Sequence, residues 1–275
     1  MNPVGKSNKN KKYHTAIRIK VMEQIYLIPK TEYLGKKLYK FISFSIINNR
    51  CTPRKDMSDP LHPRDLGVIV RNTLPEDIPK IVDLQKESFP YLARYGNIWQ
   101  PEELKSHLRI FPEGQFVAVE PDGTVVGSAS TLIVLLNPDY AEHTWKKITS
   151  NGMFTNHNSN GDSLYGADIS THPKHRHEGI GGMLYDARKE LVAKLNLRRM
   201  IAGGRLFNYS EYADKMSAFE YAQKVIKGEL RDPVLSFELA NGFNFIKILP
   251  NYLDDVRSLN YASFIEWLNP RHRAL

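Results

Sequence analysis

The apolar positions of this chain change their spacing repeatedly after residue 67, which predicts alternating strands and helices. Residues 68–71 form a short apolar run typical of a strand. The next apolar positions recur every three or four residues, which predicts a helix with Asp77 as its N-cap and Pro79 in its first turn. Pro101 begins a second helix of the same kind.

The same alternation continues to the end of the chain. A Pro-Asp-Gly turn at 121–123 joins two strands into a hairpin. A polar stretch rich in Asn and Gly, 137–163, predicts a long loop that is a candidate lid. The remaining predicted elements are strands at 116–119, 124–136, 165–171, 199–203, 243–249 and 261–267, helices at 184–195 and 233–241, and a helix-rich insertion at 209–230. This order predicts an α/β domain at 65–270.

Charge separates an N-terminal segment from this domain. Residues 1–55 hold 13 Lys/Arg against 2 Asp/Glu, whereas the rest of the chain is mildly acidic. We predict a basic arm at 1–60, either disordered or an extension that precedes a native start at Met57. A basic arm can bind nucleic acid, but neither stacking aromatic positions nor a nucleic-acid motif accompany it, so we do not expect that partner.

Cysteine content and hydropathy indicate the cellular compartment. Cys51 is the single cysteine of 275 residues, so the chain has no internal disulfide, which favours a reducing compartment. No apolar stretch approaches the ~20 residues that a membrane-spanning helix needs. We therefore predict a cytoplasmic protein without a membrane span.

A glycine cluster at 176–182 lies between the strand at 165–171 and the helix at 184–195. Backbone N–H groups at such a junction lack partners, and the helix dipole adds positive charge, so the junction can bind an anion. A P-loop needs Lys-Ser/Thr after its last glycine and a Rossmann fingerprint needs a third glycine; Met183 and Leu184 exclude both. A tight turn without a ligand remains the alternative.

These residues resemble the GNAT acyltransferase superfamily. Arg176, Gly179 and Gly181 match its (Gln/Arg)-x-x-Gly-x-(Gly/Ala) motif. Residues 169–173 look like the exit of its fourth strand, and 237–243 look like its late helix. The resemblance covers about 67–269 and implies a mixed, twisted α/β (α+β) sheet of six to seven strands flanked by helices.

A narrower resemblance is to the acetyltransferase module that some bacterial proteins carry ahead of a nitrilase-like hydrolase. Its likeness rests on the segments 165–170, 228–233 and 249–253. No hydrolase is expected within this chain, so a separate hydrolase is a candidate partner. The chain is then either an N-acetyltransferase or a non-catalytic coenzyme A-binding module.

The resemblance implies acetyl-CoA as the co-substrate. It would lie in a splay, the gap that forms where the neighbouring strands at 165–171 and 199–203 diverge. The main chain of three residues would hold the pantetheine arm: Ile169, Ser170 and Thr171. The glycine cluster would hold the pyrophosphate through Arg176, His177, Glu178, Gly179, Ile180, Gly181 and Gly182. The acceptor would be an amine of unknown identity, and no metal is expected.

Two carboxylates are candidate catalytic groups. Glu238 stands where the superfamily often has a tyrosine acid, and burial would let it donate a proton. Asp168 lies in the strand beside the co-substrate and is a candidate proton relay. A capping or structural carboxylate is the alternative for each, and positioning alone can supply much of the rate. Tyr165 would be a poor base at its usual pKa.

Several other residues have two interpretations each. His172, His175 and His177 are spaced like metal ligands, but the interleaved basic residues favour a role in loop solvation. Arg205 would either bind an acidic acceptor or form an ion pair. Aromatic and histidine residues would either wall the acceptor pocket or pack in the core: Trp145, His157, Tyr209, Tyr212 and Tyr221.

Overall fold

The computed structural model describes residues 17–21, 24–28 and 67–274. The chain divides into two compact units, Met1–Asp56 and Met57–Leu275. In the first unit, β1 (Ile17–Val21) pairs with β2 (Gln24–Ile28) as an antiparallel hairpin. The rest of the predicted basic arm, with Cys51 and Met57, lies outside the described residues, so the arm stays a prediction.

The second unit contains a seven-stranded sheet. Its strands are β3 (Ile69–Asn72), β4 (Gln115–Val119), β5 (Val125–Val134), β6 (Ser163–Thr171), β7 (Arg199–Arg205), β8 (Asn244–Leu249) and β9 (Ala262–Leu268). Their spatial order is β3-β4-β5-β6-β7-β9-β8. Only the β6–β7 pair is parallel, and the other neighbours are antiparallel. The prediction of a mixed sheet of six to seven strands is confirmed.

The described helices flank this sheet. They are α1 (Ile78–Ser88), α2 (Pro90–Arg94), α3 (Pro101–Ile110), α4 (Trp145–Ile148), α5 (Ile180–Lys194), α6 (Ala218–Ile226) and α7 (Leu235–Ala240). The short helices α2 and α4 were not predicted. No helix in the described ranges combines the length and the apolar character needed to cross a bilayer.

Two aspartates lie just before helices, and only one of them caps its helix. Asp77 precedes α1, but its carboxylate does not cap α1; it accepts from the Leu74 N–H at 2.8 Å and pairs with Arg71. Helix α7 begins at Leu235 because the Asp232 carboxylate accepts from the N–H groups of Val234 and Leu235. An N-capping carboxylate of this kind stabilises a helix by about 1 kcal/mol.

Side chains of the central strands alternate between two cores. Met200 and Ala202 of β7 pack with α5 and α7 on one face. Ile201 and Tyr165 pack with α1 and α3 on the other face. Because strand side chains alternate with a period of two, Gly203 and Arg205 face α1 and α3, whereas Gly204 faces α5 and α7.

The β6–β7 ladder is short, and this opens the sheet. It runs only from Ser163–Arg199 to Gly166–Ala202. On the other edge of β6 the register against β5 shifts, which leaves Ala167 as an extra residue. Such a bulge bends its strand and increases its twist. The predicted splay between these two strands is therefore present beyond Gly166.

The segment predicted as an open loop, 137–163, is packed. It contains α4, and the Phe154 side chain is completely buried. Ser106 and His107 of α3 bond the carbonyls of Met153 and Gly152 at 2.8 and 2.6 Å. The structure thus shows this part of the segment closed on α3, and exposing the phenyl ring would cost about 2–3 kcal/mol, so the lid stays a prediction.

Candidate functional site

The N-terminus of α5 presents unpaired backbone N–H groups. Gly179 is its N-cap in the left-handed conformation at φ 87°, and His177 also has a positive φ of 68°. The first N–H to bond back is that of Met183, which donates to the Gly179 carbonyl at 3.1 Å. The N–H groups of Ile180, Gly181 and Gly182 therefore precede the first helical hydrogen bond, an arrangement that can bind an anion.

The residues of this turn differ in what surrounds them. The Ile180 side chain is buried in the core, so only its backbone N–H is available to a ligand. A Cβ on Gly181 would lie 2.6 Å from Cζ of Phe237, so glycine there lets α7 approach α5. A Cβ on Gly182 would meet its nearest atom, Oδ1 of Asn241, at 3.7 Å, which is ordinary contact.

The charged side chains around the turn have partners of their own. Arg176 donates to the Ser88 carbonyl at 3.2 Å, which ties the turn to the end of α1. His172 pairs with Glu87 at 2.9 Å, and His175 pairs with Glu178 at 3.0 Å. These histidines are thus held by carboxylates rather than only solvating the loop. Within residues 67–274 no three His, Cys, Asp or Glu side chains are grouped to hold a metal.

The edge of β6 that faces β7 is open past the bulge. The His172 N–H donates to the Val126 carbonyl of β5, and Ser170 lies opposite Ser128. Because backbone groups alternate between the two edges of a strand, Ile169 and Thr171 point toward the open side. The Thr171 carbonyl accepts from Ser88 at 3.1 Å, while Ile169 keeps both groups open.

Ser170 differs from the prediction. Its backbone faces β5, and its hydroxyl is buried between Ser128 at 2.9 Å and Gln85 at 3.0 Å. It is therefore turned away from the open edge where a pantetheine arm would lie. Backbone groups alternate between the two edges of a strand, so the register of β6 against β5 sets which edge Ser170 faces. That register could not be predicted from the sequence.

Asp168 flanks the bulge on the α1 and α3 face. Its Oδ2 accepts from Nε2 of Gln85 at 2.8 Å. Burial raises the pKa of the Asp168 carboxyl to about 6, although Arg188 and Gln85 oppose that rise. A carboxyl with this pKa is mostly ionised at neutral pH and can accept a proton.

Arg188 of α5 holds the bulge from the opposite face. Its guanidinium donates to the Ser130 carbonyl at 3.0 Å and to the Asp168 carbonyl. Arg188 is 1% exposed, so its guanidinium interacts with these two backbone carbonyls and not with solvent. Sequence reasoning missed this residue, because an arginine in an amphipathic helix normally faces water.

A buried chain of hydrogen bonds reaches the splay from the same face as Asp168. His143 Nδ1 donates to the Ala141 carbonyl at 2.8 Å, which leaves Nε2 to accept from Tyr165 at 2.9 Å. Tyr252 in turn donates to Tyr165 at 2.7 Å. Burial lowers the pKa of His143, which is therefore neutral, and raises the pKa of both phenols.

This chain ends against Gly203, where the ring of Tyr252 leaves no room for a Cβ. It was not predicted, because His143 and Tyr252 come from a polar stretch and a loop that carry no local signal. The raised pKa of Tyr165 agrees with its rejection as a base.

Glu238 lies on the α5 and α7 face, across the sheet from Asp168. It is 4% exposed, and its carboxyl accepts from Ser263 Oγ at 3.3 Å and packs on Gly204. Burial, with Asp232 nearby, raises the pKa of this carboxyl well above its usual value. Burial therefore favours the protonated form of Glu238, which is the form that a general acid needs.

The remaining candidates have structural partners. Trp145 Nε1 donates to the Ala167 carbonyl at 2.9 Å, and His157 accepts from the Ile133 N–H at 3.1 Å. Tyr209 and Tyr212 of the insertion each pack against Tyr221 in a tilted arrangement, with ring centroids 5.6 and 5.3 Å away. Packing therefore accounts for these three rings.

Comparison with known proteins gives matches over the same region. The model of the acetyltransferase (GNAT) family matches residues 78–210. The uncharacterized N-acetyltransferase YkwB of Bacillus subtilis is 40% identical over 203 residues, which cover 74% of this chain and 89% of that protein. The probable hydrolase YhcX of the same organism is 47% identical over 203 residues, and the match spans 74% of this chain but only 39% of the hydrolase.

Solved structures share the fold at low sequence identity. The loading GNATL domain of CurA from Lyngbya majuscula superimposes with a TM-score of 0.63 at 19% identity, over 73% of this chain and 97% of that domain. The GNAT-like decarboxylase GphF, solved with isobutyryl-CoA, gives a TM-score of 0.60 at 19% identity, over 73% and 98%.

Proposed function

Because this chain belongs to the GNAT acetyltransferase family, we propose that it is an acyltransferase that transfers an acetyl group from acetyl-CoA to the nitrogen of an amine. One observation carries the proposal. The splay between β6 and β7 starts beside a carboxyl that can accept a proton, and a buried carboxyl with a raised pKa lies across the sheet from it. A group of each kind would assist direct transfer.

The binding side of the proposal follows from the exposed backbone. The N–H groups of Ile180, Gly181 and Gly182 would bind the pyrophosphate, with Arg176 adding positive charge at the rim. The open edge of β6 at Ile169 would pair with the amides of the pantetheine arm, as an added strand pairs with a sheet edge. The thioester would then lie in the splay.

The chemical step assigns different work to the two faces. The amine nitrogen forms a bond to the thioester carbon, and the C–S bond breaks as the tetrahedral species collapses. Asp168 would take the proton from the amine, and Glu238 would give a proton to the departing thiolate. Each transfer contributes about 10²–10⁴-fold at a matched pKa.

The match to YhcX favours a second candidate. The hydrolase shares 47% identity with this chain over only 39% of its own length, so the shared region is one part of a larger protein. In that setting the chain would be a coenzyme A-binding module that partners a hydrolase and does not transfer acetyl groups.

Turnover of acetyl-CoA with a panel of amines distinguishes the two candidates. We expect acceptor-dependent release of the thiol, with an acetylated amine detected by mass spectrometry. The matched control is Glu238→Gln, which keeps the shape of the side chain but removes the acid. Calorimetric binding of coenzyme A without acceptor-dependent thiol release would reject the transferase and leave the binding module.

A further inference from the structure

Arg205 is a nearly buried arginine at the end of β7. Its side chain is 16% exposed, and it faces α1 and α3 as Asp168 does. The guanidinium carbon lies 5.5 Å from the centre of the Phe89 ring and 4.8 Å from that of Phe207. Two aromatic rings therefore fix the orientation of the planar group.

This guanidinium has no hydrogen-bond acceptor among the described residues. Its nearest carboxylate oxygen, Oδ1 of Asp255, is 3.5 Å from Nη1, and that contact is an ion pair without a hydrogen bond. The same oxygen is buried without any hydrogen-bond partner in the described part of the chain, although Asp255 is only 3% exposed. Buried polar groups are normally paired, so this oxygen and the partly exposed guanidinium beside it retain hydrogen-bonding capacity that a polar ligand could use.

Among the described residues two other arginines are buried, and both donate hydrogen bonds to protein acceptors. Arg199, which is fully buried, donates to Ser163 at 2.8 Å and to Glu266 at 2.9 Å. Arg188 donates to two backbone carbonyls. Nε of Arg188 is buried without a partner in the described part of the chain, but its Nη2 is paired. Arg205 differs from both, because no hydrogen bond to a described residue involves its guanidinium and its side chain is partly exposed.

The surroundings place Arg205 at the mouth of the splay. Its strand has already separated from β6 at Ala202, three residues earlier. Phe89 follows Ser88, which contacts the Thr171 carbonyl at the end of β6 and accepts from Arg176 of the glycine turn. The guanidinium therefore bridges β7 and the end of α1, where a ligand entering the splay from the Asp168 side would pass.

A second positive charge completes the cluster. Arg257 stacks on Phe207, with its guanidinium carbon 4.6 Å from the ring centre. Arg205, Arg257 and Asp255 together carry one net positive charge, which suits a single anionic group. Burial lowers the pKa of Arg205, but an arginine keeps its charge at any physiological pH.

We propose that Arg205, assisted by Arg257, binds a carboxylate of the acceptor, so that the acceptor is an amine that also carries a carboxylate, as amino acids do. A guanidinium fork matches a carboxylate in two parallel hydrogen bonds. Oδ1 of Asp255 is then free to accept a hydrogen bond from the amine end or from a water. This inference rests on the proposed function, since it names the substrate class of the same site.

The test compares each amino acid with its own carboxamide as acceptor for acetyl-CoA, in the full chain. We expect the acid to be the better substrate, and Arg205→Gln to raise its KM by about 10–100-fold, as the loss of hydrogen bonds to a charged group predicts. The KM for acetyl-CoA and the kinetics of the carboxamide should not change. Arg231→Gln, which removes an exposed charge elsewhere, is the matched control.

Arg257→Gln provides a second variant on the exposed side, with an expected two- to fivefold rise in KM that fades at high salt. Equal use of acids and carboxamides, with equal effects of Arg205→Gln on both, would overturn the inference and leave the transferase standing. The inference would also be overturned if Arg205 recognised the donor and not the acceptor. In that case the enzyme would prefer acyl-CoA esters whose acyl group carries a carboxylate. Calorimetric titration of the acids in the presence of coenzyme A separates the two proposals: Arg205-dependent binding without turnover would reject only the transferase.

Discussion

Gly182→Asp is the sharpest test of the anion site at α5. Gly182 is the third residue of the helix, and a side chain there meets nothing closer than Asn241 at 3.7 Å. The added carboxylate would point into the space that we assign to the pyrophosphate. Gly181 would not serve, because any side chain there collides with Phe237 and would disturb the packing of α7.

Fold stability and ligand affinity should respond in opposite directions. A carboxylate in the first turn of a helix stabilises it by about 0.3–1 kcal/mol, and replacing glycine adds a few tenths. Two unit charges about 4 Å apart repel each other by about 1 kcal/mol in water and about 4 kcal/mol near a protein surface. Since each 1.4 kcal/mol is a factor of ten, we expect affinity for coenzyme A to fall at least tenfold.

Calorimetric titration with coenzyme A and thermal unfolding measure the two effects on one preparation. Gly182→Asn is the matched control, because it adds the same shape without the charge. The loss in the aspartate variant should shrink as salt is raised, since the site is exposed. Equal affinities of the aspartate and asparagine variants would refute the assignment of this helix end to the pyrophosphate.

Three further predictions concern the proton-transfer groups. Glu238→Gln should lower kcat by about 10²-fold and remove the alkaline limb of its pH profile; an unchanged profile would exclude the acid. Asp168→Asn should remove the acidic limb near pH 6. The folded pKa of Asp168 is above its unfolded value, so the wild type should lose about 2 kcal/mol of stability as pH rises from 4 to 6. This loss should be absent in the variant when urea unfolding is compared at the two pH values. Tyr252→Phe should lower stability by about 1 kcal/mol through the lost hydrogen bond to Tyr165 and leave kcat nearly unchanged, because Asp168 takes the amine proton in the proposed mechanism. A fall in kcat without a loss of stability, in a paired thermal unfolding measurement with Tyr212→Phe as control, would contradict that assignment.

Local patterns in the sequence were enough to predict the order of most elements and the anion site. Gly179 adopts a left-handed conformation as the N-cap of α5, and Gly182 lies in the first turn of that helix. Both features depend only on neighbouring residues. The hairpin at 121–123 and the glycine that ends α7 are of the same kind. Helix periodicity and turn chemistry act over a few residues, so a single sequence carries them.

Contacts between distant residues decided the rest. The bulge at Ala167 depends on the register of β6 against β5, and that register turned Ser170 away while it left Ile169 open. The burial of Glu238 against Gly204 and the chain from His143 to Tyr252 join residues that are tens of positions apart. The sequence alone was enough to predict a phosphate-binding turn at 176–182, because a helix N-terminus is a local structure. The pKa shifts of Asp168 and Glu238 and the surroundings of Arg205 emerged only from the tertiary structure, because burial and pairing depend on what the fold places around each group.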